Sequence, residues 1–158
     1  MNPGHQSRRQ CLLAGAALLA PWHRQADANT LNALPLARDL PAEMALAAQR
    51  AQPLLVLVSL HGCVYCERVR RSNLLPRLAE GQAVVQVDLK SSLPVLDWRG
   101  RPSTHDELTR LWKVSIAPTV LFFGPSGKEL AERMVGAYQP DFYDAYLDDR
   151  LAQARQRL

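Results

Sequence analysis

The chain has 158 residues, 47% hydrophobic and 22% charged, enough apolar material for one domain around one core. Its formal charge is +4, of which residues 1–28 supply +2 (Arg8, Arg9 and Arg24 against Asp27), leaving +4 − 2 = +2 for the remainder. A balance that small, spread thinly, argues against nucleic acid as a partner.

Residues 1–28 read as an export signal. Arg8 and Arg9 form a basic start, and Cys11 to Ala20 is an apolar stretch of ten residues, half of the ~20 that cross a bilayer. Ala26-Asp27-Ala28 offers small residues for cleavage before Asn29. Ser7-Arg8-Arg9-Gln10-Cys11 also resembles a twin-arginine signal, although Cys11 stands where an aromatic is usual, so export by Sec or by Tat fits and the expected location is periplasmic. An uncleaved anchor or a plain tail is the alternative. With the signal removed, two of the three cysteines remain.

Residues 29–40 read as an extended lead-in, and residues 41–158 as the folded domain. Pro41 suits the first turn of a helix with Asp39 as its cap, and Met44, Leu46, Ala47 and Ala48 supply its apolar positions before Pro53 stops it. Leu54 to Leu60 is apolar except for Ser59 and reads as a central strand with both faces covered. His61-Gly62 follows, then Cys63 and Cys66, then a helix over 64–80 that Pro76 should kink. Arg68, Arg70 and Arg71 read as its solvated face.

Ala83 to Leu89 is a second strand with Val85, Val87 and Leu89 on one face. Lys90 to Pro102 reads as a long irregular insertion, with Trp98 tucked onto the core or offered to a partner. Thr104 and Glu107 form a capping box that opens a helix running to about Trp112. Pro118 to Phe123 is a third strand, Gly124 to Gly127 a turn, and Lys128 to Val135 a strand that pairs back. A last helix starts at Pro140, with Tyr143, Leu147, Leu151 and Ala154 as its buried stripe. The order predicts an α/β sandwich, a mixed parallel and antiparallel sheet with helices on both faces.

The chemistry belongs to Cys63 and Cys66. A bridge that closes two intervening residues constrains little of the unfolded chain, so the pair suits reaction better than stapling. Cys63 falls where a strand ends and a helix begins, near unpaired N–H groups and the positive end of the helix dipole. Such cysteines ionise at about 3.5–7.5, against about 8.5 for a free thiol. Cys63 is therefore the expected nucleophile and Cys66, one turn further in, the resolving thiol. Two other readings stay open: His61, Cys63 and Cys66 as soft ligands for copper or zinc, and a binding module whose cysteines are idle.

From about residue 40 to 155 the chain resembles the thioredoxin superfamily. The resemblance rests on Cys63-Val64-Tyr65-Cys66 after a buried strand, Ala117-Pro118-Thr119 opening a later strand, the glycine-bearing hairpin, and Val135-Gly136-Ala137 before the last helix. Gly136-Ala137-Tyr138 with Pro140 and Phe142, together with the insertion, is most similar to the exported, SoxW-like thioredoxins of bacteria. The resemblance implies a three-layer thioredoxin-like sandwich, a cis Pro118 against the cysteines, and backbone groups of Ala117 that bind an extended substrate. It implies a thiol–disulfide oxidoreductase that works as a monomer without metal or nucleotide cofactor. Its substrates would be disulfide-containing proteins or small molecules, with a membrane-embedded redox partner. His61 and Tyr65 are candidates for tuning the Cys63 thiolate. Two departures stand out: Leu57 replaces the buried acid of cytoplasmic thioredoxins, and Gly62 replaces the tryptophan before the first cysteine.

Overall fold

The structure is a computed structural model that describes Met1, residues 33–137 and residues 140–158. Apart from Met1, the expected export signal lies outside the described residues, as do residues 29–32 of the lead-in and Tyr138.

The elements are α1 (Leu40–Gln49), β1 (Leu54–Ser59), α2 (Val64–Val69), a π-helical stretch Arg70–Leu74, α3 (Leu75–Ala79), β2 (Val84–Asp88), β3 (Pro94–Leu96), β4 (Pro102–Thr104), α4 (His105–Leu111), β5 (Thr119–Phe123), β6 (Met134–Val135) and α5 (Pro140–Gln156). The main sheet has the order β2-β1-β5-β6. β1 runs parallel to β2 and antiparallel to β5, and β6 is antiparallel to β5. The sheet is mixed, as expected, and every residue of β1 is buried.

Alternation along β1 divides the core in two. Leu55 and Leu57 face Val69, Leu74, Tyr143, Leu147 and Leu151 of the helices on one side. Leu54, Val56 and Val58 face Leu40, Met44, Ala47, Leu108 and Trp112 on the other. Helices therefore cover both faces, and the last-helix stripe is core.

Several elements differ in detail from the sequence reading. In α1 the buried residues are Leu40, Met44 and Ala47, whereas Leu46 is 57% exposed. The Asp39 cap is present, its carboxylate accepting from the Ala42 N–H at 3.0 Å. The helix over 64–80 is interrupted rather than continuous. Pro76 has no N–H and crowds the carbonyl four residues back, and the preceding turn widens so that the Leu75 N–H reaches the Arg70 carbonyl.

The segment 90–102 is not irregular throughout, because β3 and β4 form a small antiparallel sheet with Pro94 opposite Thr104. Trp98 lies over Phe123 and Trp112, with ring centroids 4.9 and 6.3 Å away. Gly127 (φ +74°) lies beneath it, and a Cβ there would overlap the indole. The expected strand from Lys128 to Val135 shrinks to a bridge at Glu129 and the two residues of β6. Between them Arg133 turns in to donate to the Trp112 carbonyl at 2.8 Å. The capping box of α4 is complete at both ends.

The lead-in extends the sheet. The Ala37 N–H donates to the Gln86 carbonyl and the Gln86 N–H to the Pro35 carbonyl, both at 2.8 Å. Fully buried His105 ties the two together. Its Nδ1 accepts from the Asp88 N–H at 3.0 Å, which leaves Nε2 to donate to the Ala37 carbonyl at 2.9 Å.

Candidate active site

Strand directions bring the candidate residues to one end of the sheet. Ser59, the last residue of β1, is in register with Asp88, the last of parallel β2. Val58 is opposite Thr119, the first residue of antiparallel β5, so Pro118 leads in where β1 leads out. Thr119 is in turn opposite Val135, and the Gly136 N–H donates to the Pro118 carbonyl at 2.7 Å.

Cys63 is the N-cap of α2. Its φ and ψ of −83° and 106° are extended, and its Sγ accepts from the Cys66 N–H at 3.1 Å. The sulfur stands where a serine or aspartate oxygen usually caps a helix. Gly62 before it has φ +72°, a conformation that costs a residue with a side chain, which accounts for glycine at this corner. Cys63 and Cys66 form a disulfide with their Cα atoms 5.2 Å apart. Cys66 is fully buried, whereas Cys63 is partly exposed.

The Ala117–Pro118 peptide bond is cis, in line with the resemblance. Pro118 is buried and Ala117 half-buried. The Thr119 hydroxyl donates to the Ile116 carbonyl at 2.8 Å and closes the turn in front of β5. Around the cysteines and this turn lie large apolar side chains open to solvent: Val64 (72% exposed), Tyr65 (60%) and Ile116 (54%). Tyr65 belongs to this rim. His61 is exposed and, with Leu60, Cys63 and Val64, borders a cleft of about 900 Å³ that also holds charged side chains.

The face of the sheet below α2 turns polar as it reaches this cleft. Leu57 is fully buried, so no acid sits in the strand beneath the pair. Two residues on, Ser59 is buried, and across from Leu57 and Ser59 stand Gln86 and Asp88. Arg70 joins them: Nε donates to Gln86 Oε1 at 2.9 Å, Nη2 to Ser59 Oγ at 3.0 Å, and Nη1 pairs with Glu67. The Gln86 amide then donates to Asp88 Oδ1 at 2.7 Å. Arg70 is thus not part of a solvated face. Its side chain is 16% exposed, against 71% for Arg71, which also pairs with Glu67. The missed signal was spacing, since Cys66, Arg70 and Leu74 follow one another at four residues and share the inner side of the helix.

Among the described residues, no three His, Cys, Asp or Glu side chains gather as a metal ion would require. Fully buried His105 spends both ring nitrogens on backbone groups, which removes it as a ligand beside the cysteines. No described helix is long and apolar enough to cross a membrane.

Comparison with known proteins supports the architecture. No curated protein matches the chain. Among solved structures it is similar to the DsbH oxidoreductase (TM-score 0.51, 18% identity, covering 91% of this chain and 96% of that one). It is similar to thioredoxin O2 from Arabidopsis thaliana in its oxidised state (0.50, 13%, covering 76% and 96%). It is likewise similar to a thioredoxin from Thermus thermophilus (0.50, 22%, covering 75% and 85%). At these identities the likeness is one of fold. The profile of the thioredoxin-like domain family matches residues 40–151, nearly the whole of the described domain, and on that match the chain belongs to the thioredoxin-like family.

Proposed function

We propose that this chain is an exported thiol–disulfide oxidoreductase with Cys63 as nucleophile and Cys66 as resolving thiol. The observation that carries the reading is the position of Cys63: it caps a helix with its own sulfur, is bonded to Cys66, and stands at the sheet end that also holds cis Pro118. A backbone N–H directed at sulfur favours the thiolate over the thiol once the bond is reduced. The thiolate attacks a substrate disulfide and forms a mixed disulfide, and Cys66 then attacks the Cys63 sulfur, which closes the Cys63–Cys66 disulfide and releases the substrate as a thiol. Ala117 would pair its backbone with an extended substrate, and the apolar rim of Val64, Tyr65 and Ile116 suits an unfolded or loop segment of a protein. His61 and Tyr65 remain candidates for tuning the Cys63 thiolate beside the Cys66 N–H, which reaches the sulfur directly.

In this reading residues 1–28 are the export signal, the chain acts as a monomer in the periplasm, and a membrane-embedded protein exchanges electrons with it, as in exported SoxW-like thioredoxins. No metal or nucleotide enters the cycle. The full chain, expressed with its N-terminus intact, should be recovered from the periplasm with a mass beginning at Asn29. That product should reduce the disulfides of insulin. Cys63→Ser should abolish turnover, and Cys66→Ser should accumulate a mixed disulfide at Cys63. Turnover that survives Cys63→Ser would rule out this mechanism.

A further inference from the structure

The two sides of Cys63 differ in chemistry. Beside Pro118, Ile116 and Ala117 leave an apolar surface open to solvent. On the other side is a recess at the ends of the parallel strands β1 and β2, of a size that holds small ligands. Its walls carry both signs of charge. Lys90 stands on it in a left-handed turn (φ +59°), with no ion pair among the described residues. Arg70 spends one N–H from each of its three nitrogens on neighbours, which leaves one on each terminal nitrogen. Asp88 accepts from Gln86 through one oxygen, and its second oxygen has no partner among the described residues. Ser91 and Ser92 complete the loop opposite Cys63.

We propose that this cleft is a second substrate site, one that takes a small zwitterionic disulfide or thiol such as an amino-acid disulfide. The proposal rests on the oxidoreductase reading above and adds to it a substrate class and a place. Lys90 and Arg70 hold the carboxylate, and Asp88 holds the ammonium. An anion alone would leave Asp88 facing it, and a cation alone would face Lys90. A molecule carrying both ends satisfies the cleft.

The cycle balances within the chain. The Cys63 thiolate attacks one sulfur of RS–SR. That S–S bond breaks, RS⁻ leaves and is protonated, and R remains in the cleft on a Cys63–S–S–R bond. Cys66 loses its proton and attacks the Cys63 sulfur, and the second RS⁻ leaves and takes that proton. The protein dithiol is oxidised by two electrons to the Cys63–Cys66 disulfide, and RS–SR is reduced to two RSH. The reverse sequence oxidises the small thiol. The apolar rim remains for a protein partner, so the chain can pass electrons between a protein and a small-thiol pool.

The test uses the Cys66→Ser variant, which stops at the mixed disulfide, and three probes: cystine, cystamine (ammonium only) and 3,3′-dithiodipropionate (carboxylate only). Each rate is divided by that of the same probe with a simple free thiol. Cystine should exceed either single-sign probe by about tenfold, the effect of one charge-assisted hydrogen bond. In the chain with both cysteines, Lys90→Gln and Asp88→Asn should each lower the ratio of cystine to insulin turnover by about tenfold, and Lys90→Glu should lower it further. Equal normalised rates for the three probes, or an unchanged cystine-to-insulin ratio in these variants, would overturn the cleft as a site. A chain that reacts with neither insulin nor any probe would instead sink the oxidoreductase reading itself.

Discussion

Arg70 is the residue whose position the sequence concealed most. Four arginines and valines in a row (Arg68, Val69, Arg70, Arg71) look like a solvated helix face, and Arg68 and Arg71 are indeed exposed. Arg70 turns inward because Ser59 ends the apolar run of β1 and Gln86 stands beside it, so a guanidinium finds acceptors where a leucine would otherwise pack. Ser59 was visible as the single polar residue in a hydrophobic strand, but its partner lies on another element and leaves no local trace. Arg70→Met should cost about 1–3 kcal/mol of stability, since it strands Ser59 and Gln86 below α2 without a donor. Arg70→Lys should recover less than half of that loss, because one ammonium cannot match three acceptors spread around a planar fork. Urea unfolding of the reduced protein measures both, and a Met variant as stable as the parent would show the network to be idle. Cys63 and Cys66, by contrast, were legible from spacing and from the buried strand before them.

At the scale of elements, legibility followed length and chemistry. The capping box of α4 and the Asp39 cap were readable because each is a local pattern of side chain and backbone three residues apart. The β3–β4 hairpin was not, because strands of three residues carry no period and both begin with a proline, Pro94 and Pro102. What holds that hairpin is its turn. Asp97 Oδ1 accepts from the N–H groups of Arg99 and Arg101 at 2.8 and 2.9 Å, and its Oδ2 accepts from the Arg101 side chain at 2.9 Å. The Arg101 guanidinium and these N–H groups lower the Asp97 carboxyl from 3.8 to about 2. A depressed carboxylate stabilises the fold above its unfolded value, and that contribution is lost as pH falls through its folded value. The window therefore runs from 3.8 down to about 2. Asp97→Asn should be less stable than the parent at neutral pH, and the gap between the two unfolding midpoints should close across that window. A gap that stays constant from pH 5 to pH 2 would show that the charge of Asp97 is not what holds the turn.

For the molecule as a whole, the apolar run of β1 and the stripe of α5 were enough to place a two-faced sheet, whereas the meeting of Cys63 with Pro118 depends on β5 running antiparallel to β1, which no local pattern states. That meeting was anticipated through the family resemblance alone. Under the proposed function, the same fold bears on the direction of electron flow. Folding free energy and reduction potential are linked: if the native pair has a lower potential than the unfolded pair, the oxidised fold is the more stable form, by about 1.4 kcal/mol for each 30 mV. Three features act on that balance. The Cys66 N–H favours a Cys63 thiolate and so the reduced state. Glu67 pairs with both Arg70 and Arg71, which offsets the positive charge this helix brings towards the sulfurs. Cys66 is fully buried, a setting that suits a disulfide sulfur and penalises a charged one. The two restraints outweigh the single N–H, so the fold should favour the disulfide and the dithiol should be a reductant. The oxidised chain is expected to resist more urea than the reduced chain, with a native potential nearer the ~−270 mV of thioredoxin than the ~−120 mV of a strong oxidant. Equilibration against glutathione or dithiothreitol gives the potential, and paired urea titrations give the stability difference independently. A reduced form that outlasts the oxidised one would reverse the direction of electron flow while leaving the chemistry at Cys63 intact.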